Sequence, residues 1–358
     1  MRVLAWVPQE RDTSPGQRFR IEQWEPALRS EGIEIHYSPF ADHALGETLK
    51  RRGAAPRKVL GVGRALGRRL AEARRARDYD LVYVFREGAL LGPALAERLL
   101  ALRGVPFVFD FDDSVWVRYV SPANPLTSWL RFPGKTASLC RLARHVLAGN
   151  AFLESYARRF NARVSIVPTT IDTERYSPAL RRPGNIPVIG WTGSYSTARY
   201  LARLAGPLQR LRRRHEFRVV VVGAPALELP GVELELRPWR SASEVQDLAD
   251  FDVGLMPLDD TEWERGKCGL KALQYMALGI PAVVSPVGVN TEIVRDGENG
   301  LLAGSEPEWE AALGRLLRDA GLRRRLGQAG RLTVESGYAC RVHAPRVAAA
   351  FREALGSA

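Results

Sequence analysis

Short apolar runs alternate with segments of helical period along most of the chain. Val3–Pro8, Ile33–Tyr37, Leu81–Phe85, Pro106–Phe111, His145–Ala148 and Val164–Val167 are rich in β-branched and aromatic residues and read as strands. Gln17–Ser30, Arg64–Arg77, Leu91–Arg103 and Phe152–Phe160 lie between them with apolar positions at helical spacing. Ser177–Asn185, with two prolines and a glycine, breaks the pattern and reads as a linker. The alternation then restarts. Strands are predicted at Val188–Trp191, Arg218–Val222, Val232–Leu236, Val253–Met256 and Ala282–Ser285. Helices are predicted at Ala198–Arg214, Ser243–Ala249, Leu270–Leu278, Trp309–Arg318, Gly321–Ser336 and Arg341–Leu355. Strand–helix alternation of this kind predicts α/β domains with doubly wound, mostly parallel sheets. The expected organisation is two Rossmann-like domains, 1–178 and 179–338, followed by a C-terminal helix in 339–358. Ligands of such sheets bind at the carboxyl ends of the strands.

Composition narrows the class. A length of 358 residues exceeds what one core usually fills. No run of about 18 apolar residues is present, which excludes a membrane-spanning helix. The opening Met1–Val7 is too short for a signal-peptide core and reads as a strand. Cys140, Cys268 and Cys340 are odd in number and far apart, which argues against a disulfide framework or thiolate zinc site and for a reducing cytoplasm. The five histidines are scattered, without an HExxH pair, so no metal site is expected.

The charge is unusual: 47 arginines, only five lysines, and a net +12. The excess concentrates in 50–77, where eleven basic residues interleave with apolar Val59, Leu60, Val62, Ala65, Leu66, Leu70 and Ala73. Two readings stand. One is a basic amphipathic helix for an anionic membrane surface; the other is a solvated face in an arginine-rich chain. Nucleic acid is not expected, because no aromatic residues interleave to stack on bases.

Four segments carry candidate chemistry. The first βα loop contains Gly16, where the backbone can approach a ligand closely, with Arg18 and Arg20 as anion partners. Gly193-Ser194-Tyr195 follows a strand and opens a helix, a shape suited to phosphate although neither a P-loop nor GxGxxG. In Gly266–Ser285, Lys267 and Lys271 stand four residues apart at the start of a predicted helix, with Gly269 and Leu270 between them, a spacing expected to put both ammonium groups on one helical face. Cations there oppose the helix dipole, so their placement points to a bound anion, a diphosphate in particular. Asp110, Asp112 and Asp113 close a strand; they repel one another unless paired or solvated, and Asp112 or Asp113 is the candidate for orienting hydroxyls or acting as a base.

At Asp252–Leu258, Lys267–Pro281, Pro286–Val294, Asp296–Gly300 and Val167–Asp172 the chain resembles the retaining family 4 glycosyltransferases of the GT-B fold. That resemblance implies a nucleotide-diphosphate sugar donor, UDP- or GDP-linked, held by the second domain. It implies a saccharide or lipid-linked acceptor on the first domain, with the final helix crossing back to it. It also implies that Gln274 replaces the glutamate that contacts the ribose, and that Trp239 and Arg240 lie near the base. The family's other motif glutamate falls at Gly266, its histidine near Asp112, and its Arg and Lys after the first strand of the second domain at Ser194 and neighbouring residues. Asp110-Phe111-Asp112 is also a DXD, but that metal motif belongs to single-domain glycosyltransferases. Lys267 and Lys271 are expected to replace a metal, with no cofactor. The expected function is retaining hexosyl transfer to an acceptor hydroxyl in cell-surface polysaccharide or glycolipid synthesis, at the cytoplasmic membrane face. The alternatives are a catalytically degenerate scaffold and a nucleotide-sugar epimerase on the same fold.

Overall fold

The computed structural model describes residues 1–50, 55–90, 92–117, 132, 134–182 and 184–356. Arg51 and Arg52 of the basic run, Leu91 of an expected helix and Pro183 of the expected linker lie outside the described residues. The chain divides into two compact units: Met1–Thr169 with His343–Ala358, and Thr170–Val342.

The first unit carries β1 (Arg2–Val7), β2 (Glu34–Pro39), β3 (Leu81–Phe85), β4 (Phe107–Phe111), β5 (His145–Ala148) and β6 (Val164–Ile166). Their order in the sheet is β2-β1-β3-β4-β5-β6, and every pairing is parallel. β3, β4 and β5 are buried at every position, as strands covered on both faces must be, which explains their mostly apolar runs, broken by Asp110 in β4 and His145 in β5. The second unit carries β7 (Val188–Thr192), β8 (Arg218–Val222), β9 (Glu235–Arg237), β10 (Val253–Met256), β11 (Ala282–Val284) and β12 (Leu301–Leu302). Their order is β12-β11-β10-β7-β8-β9, again all parallel. Its core packs Ile189, Val219, Val221 and Leu255 of the sheet against Leu208 and Leu313 of flanking helices. Each such side chain contributes about 1.5–3 kcal/mol on burial. Both units are thus doubly wound α/β folds. In each, strand order reverses beside the first strand, between β1 and β3 and between β7 and β10. That reversal opens a crevice at the strands' carboxyl ends.

Several elements depart from the sequence pattern. The helix expected over Ala198–Arg214 is two helices, Ala198–Ala202 and Ala205–Arg212. Pro207 has no N–H to continue a ladder but fits the first turn of a new helix. The strand expected at Val232 begins at Glu235, because Leu229 and Val232 close a turn with Gly231 at φ +67°. Gln17–Ser30 is interrupted at Arg20, whose backbone leaves helical geometry (φ −114°, ψ −111°). The basic helix starts at Ala55 and runs to Arg75. Its Arg69 is buried and donates to Gly88 O and Ser38 O while pairing with Glu72 (2.7 Å), so this member of the basic run is a packing residue.

The division between the units falls ahead of Ser177–Asn185. Tyr176 belongs to the second unit, its hydroxyl donating to Glu244 (2.7 Å), and Arg331 donates to Thr173 O (2.7 Å). The last helix, Cys340–Ala354, joins the first unit from His343 onward. Phe351 packs on Tyr83 (centroids 5.9 Å apart) and Arg352 pairs with Glu31 (2.8 Å). Among the described residues no helix is long and apolar enough to cross a membrane.

Candidate functional site

In the second unit the helix Leu270–Ala277 is fixed at the β7–β10 crevice by its own Tyr275. The Tyr275 hydroxyl accepts a hydrogen bond from Thr192 N (3.0 Å) at the end of β7 and donates to Leu255 O (3.3 Å) in β10. Gly254 leaves room for the Tyr275 ring; a Cβ there would stand 2.2 Å from it. The helix starts at Gly269, in the left-handed region at φ +70°, where a Cβ would meet Ile293 Cδ1 at 2.2 Å. Only glycine fits that position.

This start corrects the helical-face argument for the two lysines. Lys267 precedes the helix, so the four-residue spacing does not place both ammonium groups on one helical face. Lys271 lies in the first turn with Nζ 5.8 Å from the Trp191 ring centre, while Lys267 lies over Trp263 at 5.5 Å. Trp191 then connects Lys271 to the loop after β7. A Cβ on Gly193 would stand 2.6 Å from the Trp191 ring, and one on Gly223 would stand 2.5 Å from Gly193 O and 3.3 Å from Trp239 Cβ. Gly193, Trp239 and the Lys271 turn therefore border one region, with Ser194, Tyr195 and Arg240 exposed and Leu270 half-buried.

Gln274 is buried, and its amide donates to the Tyr176 hydroxyl (3.2 Å). Tyr176 donates to one oxygen of Glu244 (2.7 Å), and the Trp239 indole N–H donates to the other (2.9 Å). Sequence reasoning missed Tyr176 and Glu244, which link Gln274 to Trp239; no local motif marks them. It also missed Glu264, buried two residues before Gly266. Glu264 accepts from Tyr200, Thr261 and Arg199 (3.2 Å for Arg199). Burial pushes its carboxyl up, but the Thr261 and Tyr200 hydroxyls and Lys267 hold it net below the usual range.

In the first unit the crevice beside β1 gathers the loop after β1, Arg86 after β3, and Asp112 and Asp113 after β4. Arg86 occupies the left-handed region at φ +57°, uncommon for a non-glycine residue. Its Nε donates to Asp112 (2.6 Å), its Nη2 to Asp113 (2.8 Å), and its backbone N to Asp110 O (2.7 Å). Burial raises the Asp112 pKa, but Arg86 overrides it and holds the carboxyl below its ordinary value. Gly16 lies against this group; a Cβ there would stand 2.9 Å from Arg86 Nη2 and 3.4 Å from Asp112 Oδ2. Arg86 carries no sequence signal beyond its position after a strand.

The two arginines proposed for anion contact need correction. Arg20 is fully buried. It forms a two-point pair with Asp110 (Nε 3.1 Å, Nη2 2.5 Å) and donates to Val167 O, while the Tyr83 hydroxyl also donates to Asp110. Burial lowers the Arg20 pKa, but Asp110 raises it further, so the guanidinium stays charged. Arg20 therefore joins β3, β4 and β6 rather than facing a ligand. Arg18 is 3% exposed, 3.5 Å from Asp12, with its guanidinium over the Phe19 ring at 4.9 Å. It borders the loop without projecting from it.

Comparisons with known proteins agree with this architecture. Residues 18–175 match the family model "Glycosyltransferase Family 4", and residues 186–319 match "Glycosyl transferases group 1". A D-inositol 3-phosphate glycosyltransferase of Nocardia farcinica is 30% identical over 195 residues, covering 46% of this chain and 42% of that protein. The corresponding protein of Acidothermus cellulolyticus is 31% identical over 192 residues with the same coverage. Each match thus spans less than half the relative's length. Among solved structures, sucrose-phosphate synthase from Thermosynechococcus elongatus superposes with a TM-score of 0.69 at 16% identity, covering 100% of this chain and 99% of that one. Anabaena HepE, in complex with UDP-glucose, superposes with a TM-score of 0.66 at 16% identity over the whole of both chains. With one family model on each unit and GT-B enzymes sharing the whole fold, the chain belongs to the group 1, family 4-like glycosyltransferases.

Proposed function

We propose that the protein transfers a hexosyl group from a nucleotide-diphosphate sugar to an acceptor hydroxyl with retention, in the synthesis of a cell-surface polysaccharide or glycolipid. The observation that carries this reading is Lys271 in the first turn of Leu270–Ala277, against Trp191 at the end of β7. A cation and the free N–H groups of a helix start meet there at the crevice of the sheet. Breaking the bond from sugar to diphosphate leaves negative charge on the departing phosphate. Lys271, Lys267 and the helix start stabilise that charge without a metal, the electrostatic role that usually contributes most. Gln274, held by Tyr176, addresses the ribose hydroxyls, and Trp239 flanks the base. Asp112 and Asp113, both paired with Arg86, accept hydrogen bonds from acceptor hydroxyls on the first unit.

The helix Ala55–Arg75 supports placing the enzyme on an anionic membrane at the cytoplasmic face. Val59 and Leu60 are 70% and 62% exposed, beside exposed Arg57 and Arg64. Sedimentation with anionic but not neutral liposomes, abolished at high salt, is the expected result; equal sedimentation with both contradicts it.

Thermal unfolding in the presence of UDP, GDP and their sugars tests the donor. A ligand at a hundred times its Kd stabilises by about 2.7 kcal/mol. Stabilisation by one nucleotide identifies the base. No stabilisation by any of them supports the degenerate-scaffold reading, which the absence of a carboxylate at Gly266 favours.

A further inference from the structure

The ends of the first sheet opposite Asp112 carry a second concavity, of about 450 Å³, at the amino ends of β4, β5 and β6. Arg141, Arg144 and Arg163 line it, together with Phe160 and Asn161. The arginines come from separate places: the end of the helix Lys135–Leu142, the link into β5, and the link into β6. All three are exposed, and among the described residues none forms an ion pair with a carboxylate. The lining contains no acidic residue.

The walls are fixed by neutral groups. The Asn161 amide donates to Cys140 O (2.7 Å) and Ala143 O (2.8 Å), holding the end of the helix that carries Arg141. The Asn161 carbonyl accepts from Arg163 N (2.8 Å), holding the link into β6. Arg141 stands over the Phe160 ring at 5.3 Å. Three like charges in one concavity repel one another, and a multivalent anion relieves that repulsion. Guanidinium groups suit phosphate because their donors match its oxygens in pairs.

We propose that this concavity is a binding site for a phosphate-class polyanion, separate from the candidate active site. A soluble diphosphate and an anionic lipid headgroup present the same chemistry to it. Hydrogen–deuterium exchange of the full chain, read on peptides covering 140–146 and 159–165, tests the proposal. The probes are sodium pyrophosphate, phosphatidylglycerol vesicles and phosphatidylcholine vesicles. Exchange is expected to slow in both peptides with pyrophosphate or phosphatidylglycerol, and the effect is expected to weaken at 0.5 M salt (about a threefold rise from physiological ionic strength). Peptides covering 267–274 report pyrophosphate at the donor site separately. Arg144→Ala/Arg163→Ala, an exposed pair of changes, is expected to keep the wild-type Tm and lose at least tenfold in apparent affinity. A response to pyrophosphate alone assigns a soluble ligand; a response to phosphatidylglycerol alone assigns a lipid headgroup. No slowing with either probe, or equal slowing in wild type and variant, overturns the site.

Discussion

Replacing Arg20 with methionine tests the reading that Arg20 is structural rather than ligand-facing. Both side chains of the Arg20–Asp110 pair have 0% exposure. Removing the guanidinium leaves Asp110 with the Tyr83 hydroxyl and leaves Val167 O without that donor. Breaking a buried pair from one side costs about 3–5 kcal/mol, because the remaining charge is uncompensated. The penalty has a defined pH dependence. Burial already raises the folded-state pKa of Asp110 above its unfolded value of about 3.9 against the opposing pull of Arg20 and Tyr83, and removing Arg20 raises it further. A group whose folded pKa is raised favours the fold below the unfolded pKa and loses that contribution as pH rises through the folded pKa. The defect of Arg20→Met is therefore smaller at pH 5 than at pH 8. Urea unfolding at both values, followed by far-UV circular dichroism, measures it. Arg20→Met/Asp110→Leu removes both charges and is expected to recover at least about 1–2 kcal/mol of the loss. A defect under about 1 kcal/mol, or no recovery in the double variant, refutes the reasoning.

Two further outcomes follow from the geometry. Gly269→Ala places a Cβ against Ile293 at φ +70°, so it is expected to cost about 1–3 kcal/mol by chemical denaturation and to weaken nucleotide binding; unchanged stability contradicts the left-handed helix start. Arg86 depresses the Asp112 pKa, a contribution present above the ordinary aspartate value of about 3.9 and lost as pH falls below it. Arg86→Met should remove that contribution, so Tm measured from pH 7 to pH 3 falls less steeply than in wild type; identical slopes contradict the pairing.

The sheets were legible because strands buried on both faces leave continuous apolar runs, as in Leu81–Phe85 and Val219–Val222. The Leu270–Ala277 helix was legible through its helical pattern, which predicted Leu270–Leu278. Partnerships were not. Arg20 and Asp110 lie 90 positions apart, and nothing local separates a buried arginine from a solvated one among 47. The same distance hides Tyr176 from Gln274, 98 positions away. The lysine spacing misled because Gly269 delays the helix until after Lys267, a backbone choice that periodicity alone does not register.

The central claim is that the helix start at Lys271 holds the donor diphosphate. Calorimetric titration of UDP and GDP into wild type and Lys271→Ala tests it most directly. A charge-assisted hydrogen bond contributes about 1.5–3 kcal/mol, so the preferred nucleotide is expected to bind roughly ten- to hundredfold more weakly to the variant. Equal affinity in the two proteins contradicts the account.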